Sequence, residues 1–336
     1  MGSWAYRNSL LRRWGMERFW MEGRLATDLL EVRTDIEAID EPGFWAICGS
    51  FEEEWICARF GEVTQSNFPE SGSKLEIGEW RSSKSKAEYL DYVERIRELI
   101  SAGVVYQVNA CRILEAEIKE GSNLEHLFNR ILKDNPAPYA AFLSLPGIEI
   151  ASASPERFIS LEDGFLTSSP IKGTSATENF LAKDEAENLM IVDLIRNDIS
   201  RVSEIGSVTT PRLLATEKHP GLFHLVSDVR GEKLRDLKSS EILRRLMPPG
   251  SVSGAPKSSA LKIIAQMEGK RGPYCGVLGW SNGSEIQLSV AIRTFWRAGK
   301  TLRFGTGAGI TWGSEAESEW EETELKARRL ISLANQ

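Results

Sequence analysis

Asp163 and Gly164 stand between two apolar runs, "RFISLE" and "FLTSS", and no other short signal restricts the fold of this chain as much. Both residue types tolerate the positive φ of a two-residue hairpin turn. The spacing therefore predicts paired strands whose partner numbers sum to 327, with Glu156 opposite Ile171 and beside Lys172. A carboxyl and an amine meet at the open end of that hairpin. Pro170 must interrupt the ladder there, so the register sets a neighbourhood but not the face each side chain takes.

Lys172 lies in "SSPIKGTSA", between a proline that fixes one backbone angle and a glycine that frees the next. It reads either as an anion contact or as a nucleophile. At an ordinary pKa of ~10.4, only about one lysine amine in a thousand is neutral near physiological pH, so nucleophilic use demands burial or a nearby cation. Glu156 has the opposite need: to donate a proton it must hold one, which burial favours. In a strand, Arg157 points to the other face and need not neutralise that acid.

Elsewhere "GFWAICGSFEEEWICARFGEV" alternates like paired strands, and so do "VVYQVNACRILEAEI", "YAAFLSL" and "EIASAS". Helical spacing marks Lys84 to Ala102, "KDEAENLMIVDLIRNDISRV", the short "SSEILRRLM", the segment after Pro256, and the C-terminus from about Ser314 to Ala334. Strands outnumber the helices between them, so the fold class is α+β with mostly antiparallel sheets. A formal charge of −7 argues against nucleic acid or an anionic membrane surface as the main partner. Four scattered cysteines fit neither zinc nor a disulfide framework and read as reduced core thiols. No signal-type or membrane-length apolar run is present, so a cytoplasmic location is expected.

"GSVSGAPKS" lacks the Gly-Lys-Ser of a phosphate loop, and "FGTGAGI" lies outside the strand-helix unit that a dinucleotide fingerprint requires. Either segment still offers backbone amides to an anion. In the last helix Glu315, Glu319, Glu322 and Lys326 share one stripe. Such a stripe is either a solvated face or, with another carboxylate such as Glu187, an all-oxygen cation site that suits Mg²⁺ better than zinc. His224, alone, reads as a packed core residue.

Taken together, "YQVN", "SPERF", "PIKGT", "AENLMIVDLIRND", "HLVS", "GSVSGAPK", "AIRTF", "GAGI" and "EWEET" resemble the chorismate-utilising enzymes, the large subunits of aminodeoxychorismate synthase and anthranilate synthase. The likeness runs from about Lys84 to the C-terminus. It implies one domain, an α/β complex of two large antiparallel sheets packed orthogonally with helices outside, in which residues 1–80 are a shortened strand-rich part and 81–336 the chorismate-binding core. "DLLEV" departs at Val32 from the Leu-Leu-Glu-Ser element of tryptophan-inhibited relatives, which speaks against such inhibition. Lys172 in "PIKGT" points to the aminodeoxychorismate synthase branch, since anthranilate synthases usually carry alanine there.

The resemblance implies a route in which Lys172 adds to the chorismate ring as the hydroxyl leaves with a proton from Glu156, and ammonia then displaces the lysine to give 4-amino-4-deoxychorismate. Water-using relatives place a lysine where Gln107 stands. By the same likeness Glu187 and Glu322, with Glu319 directly or through water, hold Mg²⁺. Arg293 and the amides of Ala308 and Gly309 clamp the enolpyruvyl carboxylate, Lys326 reaches the same region, and His224, Thr174 and Ser253 line the site. None of the cysteines sits in a recognisable glutaminase turn, so a separate glutamine amidotransferase subunit is expected to supply ammonia. No fused lyase is expected either, and pyruvate release to 4-aminobenzoate would need another protein. The rival readings are an anthranilate synthase large subunit and a catalytically silent chorismate-binding homologue.

Overall fold

The computed structural model describes residues 17–70, 74–119, 121–175, 177–180, 182–219 and 222–336; the N-terminal stretch read above for a signal lies outside them. In chain order the first strands are β1 (Arg18–Met21), β2 (Arg24–Arg33), β3 (Phe44–Gly49), β4 (Trp55–Gln65) and β5 (Arg81–Ser82). Helix α1 (Lys86–Ser101), β6 (Gln107–Glu117), helix α2 (Glu125–Asp134), β7 (Tyr139–Leu145) and β8 (Ile148–Ser154) follow. Next come β9 (Arg157–Glu162), β10 (Phe165–Ser169), β11 (Ile171–Ser175), helix α3 (Ala182–Ser200), β12 (Thr209–His219) and β13 (Leu222–Glu232). Helix α4 (Ser239–Leu246), β14 (Gly254–Ala255) and helix α5 (Lys257–Met267) lead to β15 (Val277–Ser281), β16 (Ile286–Val290), β17 (Thr294–Ala298), β18 (Thr301–Ile310) and helix α6 (Ala316–Asn335).

Every pairing between these strands is antiparallel, as hairpin connections require. One arm runs β13, β10, β9, β16, β15, β3, β4, β2, with β11 and β12 both on β13. The other runs β1, β7, β8, β17, β18, β6, with β5 and β14 on β6. Pairing of β1 with β2 joins the arms into one hydrogen-bonded network. The chain also passes between the arms from β8 to β9, through Glu156, and from β16 to β17, through Arg293. Both residues are thus placed at the seam by topology.

The Asp163–Gly164 turn forms, with φ of 52° and 80°. Leu166 pairs with Leu161 and Thr167 with Ser160, the register read from the sequence. A bulge between Thr167 and Ser169 then shifts it, so Ser169 faces Arg157 and the ladder leads Glu156 towards Pro170 instead of Ile171. The chain leaves β9 at that proline and β11 pairs with β13, Ile171 against Val226. β12, unmarked in the sequence reading, carries Pro211 and among the described residues pairs only with β13, the edge position a proline tolerates.

Ser85 caps α1 reciprocally with Glu88, the Ser85 hydroxyl accepting from the Glu88 amide at 3.3 Å and the Glu88 carboxylate accepting from the Ser85 amide at 2.7 Å. Tyr89, Tyr92, Val93 and Ile96 face inward, and Gly103 ends the helix with φ 73°. The main core draws Trp45, Ile47, Val108, Ile150, Ile159 and Leu288 from both arms, closed by α1, α3, α4 and α5. A second core under α2 and α6 gathers Phe128, Phe142, Phe295, Phe304 and Leu330. The four cysteines are buried free thiols, and burial pushes Cys48 up to about 12. Among the described residues no helix is long and apolar enough to cross a membrane.

Candidate functional site

The site lies where β11, at one end of the network, meets β18 and β6 at the other. Lys172, half-buried on β11, directs its amine to the Ser251 carbonyl at 3.3 Å. The same amine stands 3.7 Å from where a Cβ on Gly309 would be, and Gln107 Nε2 only 2.5 Å from that point. The absence of a side chain at 309 therefore leaves the Gln107 amide and the Lys172 amine to share one small volume between three strands.

Glu156 is 4% exposed. Its amide donates to Ser154 Oγ at 3.2 Å and its carbonyl accepts from Val290 N at 3.0 Å, so its backbone is held from two sides. Burial raises its carboxyl to about 7, against the pull of the Ser251 hydroxyl, Lys172 and Arg293. Arg157 turns away, its guanidinium 5.4 Å from the Tyr139 ring centre. Burial likewise pushes the Lys172 amine down, opposed by Glu187 and Glu156, assisted by Lys326 and opposed by Glu322. An acid that holds its proton and an amine that sheds one are the two states that nucleophilic substitution needs from this pair.

Arg293 adopts φ 52°, uncommon for a residue with a side chain. Its carbonyl accepts from Ala153 N at 3.0 Å. Burial lowers its guanidinium pKa, with Glu156 opposing. The β17 pairing stops at Phe304, opposite Phe295, so beyond Gly305 β18 has a strand on one side only among the described residues. Alternate amides of an antiparallel strand point to opposite edges, so one of Ala308 and Gly309 turns its N–H to the open side. Lys326 on α6 bonds the Gly307 carbonyl at 3.0 Å and Glu322 Oε1 at 2.6 Å.

Glu187 on α3 and Glu319 and Glu322 on α6 face the same region. Burial raises the Glu319 carboxyl, lowered by Ser314, raised by Glu322, lowered by Lys326 and raised by Glu187. Among the described residues no three such side chains stand close enough to form a ready metal cluster. Glu322 is instead paired with Lys326. Carboxylates crowded around Glu319, with one lysine as counter-charge, are nevertheless an oxygen-donor set that suits a hard divalent cation.

Two expected lining residues stand differently from the rest. Ser253 does not present its hydroxyl to Lys172: it donates to the Pro249 and Gly250 carbonyls at 3.1 and 3.2 Å, inside its own turn. The contact to the amine is made instead by the main-chain carbonyl of Ser251, two residues earlier, which no side-chain pattern in the sequence marks. His224 is buried on β13 and pairs in register with Thr174, whose side chain lies outside the described residues. Gln107, 2% exposed with both amide atoms unbonded within the protein, also faces this volume. The sequence reading had used it only for contrast with water-using relatives. A buried amide without partners is costly unless a ligand completes it.

The model of the chorismate binding enzyme family matches residues 44–332. Over 289 residues, 82% of this chain and 63% of the relative, the chain is 37% identical to the aminodeoxychorismate synthase component 1 of Salmonella typhimurium. It is 35% identical over 267 residues to the anthranilate synthase component 1 of Aquifex aeolicus, covering 75% of this chain and 54% of the relative. The chain thus spans less than two thirds of the curated relatives it matches. Anthranilate synthase component I from Streptococcus pneumoniae superposes with a TM-score of 0.79 at 22% identity, covering 98% of this chain and 95% of that one. The menaquinone-specific isochorismate synthase of Escherichia coli gives 0.81 at 17%, covering 97% and 90%. The large antiparallel sheet with outer helices is therefore the fold expected from the residues, and this chain belongs to the chorismate binding enzyme family.

Proposed function

We propose that this protein catalyses the aminodeoxychorismate synthase reaction, converting chorismate and ammonia to 4-amino-4-deoxychorismate. The observation that carries the reading is the pairing of a depressed amine, Lys172, with a raised acid, Glu156, around one small volume. Lys172 adds to the chorismate ring as the bond between the ring and its hydroxyl breaks, and the hydroxyl leaves as water with the proton of Glu156. Ammonia then displaces the lysine amine, and Lys172 is regenerated. Gln107, an amide without basic character, leaves no base to activate water in that position.

Arg293 and the open amide at Ala308 or Gly309 of β18 would bind the enolpyruvyl carboxylate, for which a guanidinium fork is suited. Glu187, Glu319 and Glu322 would hold Mg²⁺, which when bound supplies positive charge for the ring carboxylate. Ammonia would come from a glutamine amidotransferase subunit; the relatives' designation as component 1 is consistent with a second component. Chorismate, Mg²⁺ and ammonium incubated with the protein should yield, by mass, 4-amino-4-deoxychorismate. Release of pyruvate with fluorescent anthranilate would assign it to anthranilate synthesis instead, and no turnover at high ammonium would make it a binding protein.

A further inference from the structure

We infer that Lys257 is a positioning residue for Lys172. By pairing with Asp198 it seats the turn at residues 249–253 on α3, and the main-chain carbonyl that this turn presents sets where the amine points. The inference rests on the role proposed above for Lys172.

The carbonyls of this turn are committed one by one. Those of Pro249 and Gly250 accept from Ser253 Oγ at 3.1 and 3.2 Å, inside the turn itself. The Val252 carbonyl accepts from Arg271 at 3.0 Å and the Ser253 carbonyl from the Asn109 amide at 2.9 Å, which fixes that end against β6. The remaining one, that of Ser251, accepts from Lys172 Nζ at 3.3 Å. A carbonyl can take only an N–H from an amine. The bond therefore turns the lone pair of a neutral Lys172 away from the turn and leaves it for the substrate.

Lys257, the first residue of α5, holds the other side of the turn. Its amine donates to Asp198 Oδ2 of α3 at 2.6 Å and to the Leu246 carbonyl at 3.1 Å. The two side chains are only 14% and 7% exposed, so the pair is shielded from water. A Cβ on Gly250 would meet Asp198 Oδ2 and Leu194 Cδ2 at 3.1 Å each, so the turn rests directly on the paired carboxylate. Without Lys257 that carboxylate would be a desolvated charge with no cation, and the water it draws in must displace the turn. The same helix carries Glu187. One ion pair thus keeps the acceptor of the amine in register with the helix that bears a proposed cation ligand.

Crystal structures and steady-state kinetics of Lys257→Met, with Lys257→Arg as the conservative variant, test this. In Lys257→Met the separation of Lys172 Nζ from the Ser251 carbonyl should pass beyond hydrogen-bond range, about 3.5 Å, and in Lys257→Arg it should stay within it. At a temperature below every unfolding midpoint, Lys257→Met should lose roughly ten- to a hundredfold in kcat, the scale of a misplaced reacting group. KM for chorismate should change little, and Lys257→Arg should recover most of the rate. In a Lys172→Ala background, where direct attack by ammonia is the remaining route, Lys257→Met should cost little more, since two residues acting through one group are not additive. An equal fold-loss in both backgrounds, or an amine-to-carbonyl contact retained in Lys257→Met, overturns the inference. Should Lys257→Met fail to fold, Asp198→Asn, which keeps the volume and removes the charge, takes the same measurements. If wild type makes no 4-amino-4-deoxychorismate, the proposed reaction fails, while the contact distance in the variant still decides whether Lys257 places the amine.

Discussion

Glu156 trades stability for chemistry. Its folded-state pKa of about 7 lies above the ordinary carboxyl value of 4.5, so between those two values the folded state holds a proton that the unfolded state has released. Stability therefore falls as pH rises through that window, by roughly 3 kcal/mol in all, and stays at the lower level above it. Glu156→Gln should remove most of this loss: its melting temperature should exceed wild type at pH 8 and match it near pH 5. The same variant should lose about 10²–10⁴ in kcat, the range of a general acid. In wild type kcat/KM should decline above about pH 7 as Glu156 ionises. Lys172→Ala should slow amination by roughly a hundredfold or more, or divert it to direct attack by ammonia with a steeper dependence on ammonium. Unaltered kinetics in that variant would rule out a covalent route. The types of these two residues were readable from "SPERF" and "PIKGT"; their altered proton affinities were not, because burial at the seam is set by segments far apart in sequence.

At the scale of elements, the close meeting of β6, β18 and β11 depends on the absence of a side chain at Gly309. A methyl there would stand 2.5 Å from Gln107 Nε2 and 3.7 Å from the Lys172 amine. Gly309→Ala should therefore fold, because the obstructing atom is a side-chain end, yet raise KM for chorismate and lower kcat together. A circular dichroism melt and steady-state kinetics check both halves of that expectation. The Asp163–Gly164 hairpin shows how far local pattern reaches. Turn chemistry and the first three residue pairs followed from sequence, because φ at two residues and the alternation of side chains are local. The bulge at Ser168 did not, since it is imposed by the departure of the chain at Pro170 towards β13, an element more than fifty residues later.

Across the whole molecule, buried charge as well as apolar packing holds elements together, here within one arm of the sheet and between that arm and α2. Arg297 bonds Glu149 at 2.6 Å across β17 and β8, and Arg18 meets Glu125 at 3.1 Å between β1 and α2. Removing one partner of such a pair leaves a desolvated charge, which typically costs 3–5 kcal/mol. Glu149→Ala should lower the denaturation midpoint accordingly, whereas Glu317→Ala, which breaks the exposed pair with Lys86, should change stability by less than about 1 kcal/mol. Urea titrations of the two variants compare them directly.

The helices, many of the strands, the antiparallel class and the list of reactive side chains were determined by the sequence alone, because periodicity, turn residues and side-chain chemistry are properties of neighbours along the chain. Only the tertiary structure decided that Glu156 and Arg293 sit on the two passages between arms and that the main-chain carbonyl of Ser251 meets the Lys172 amine. Those outcomes depend on which distant strands share an edge and on how much water their meeting excludes, and no local pattern encodes either.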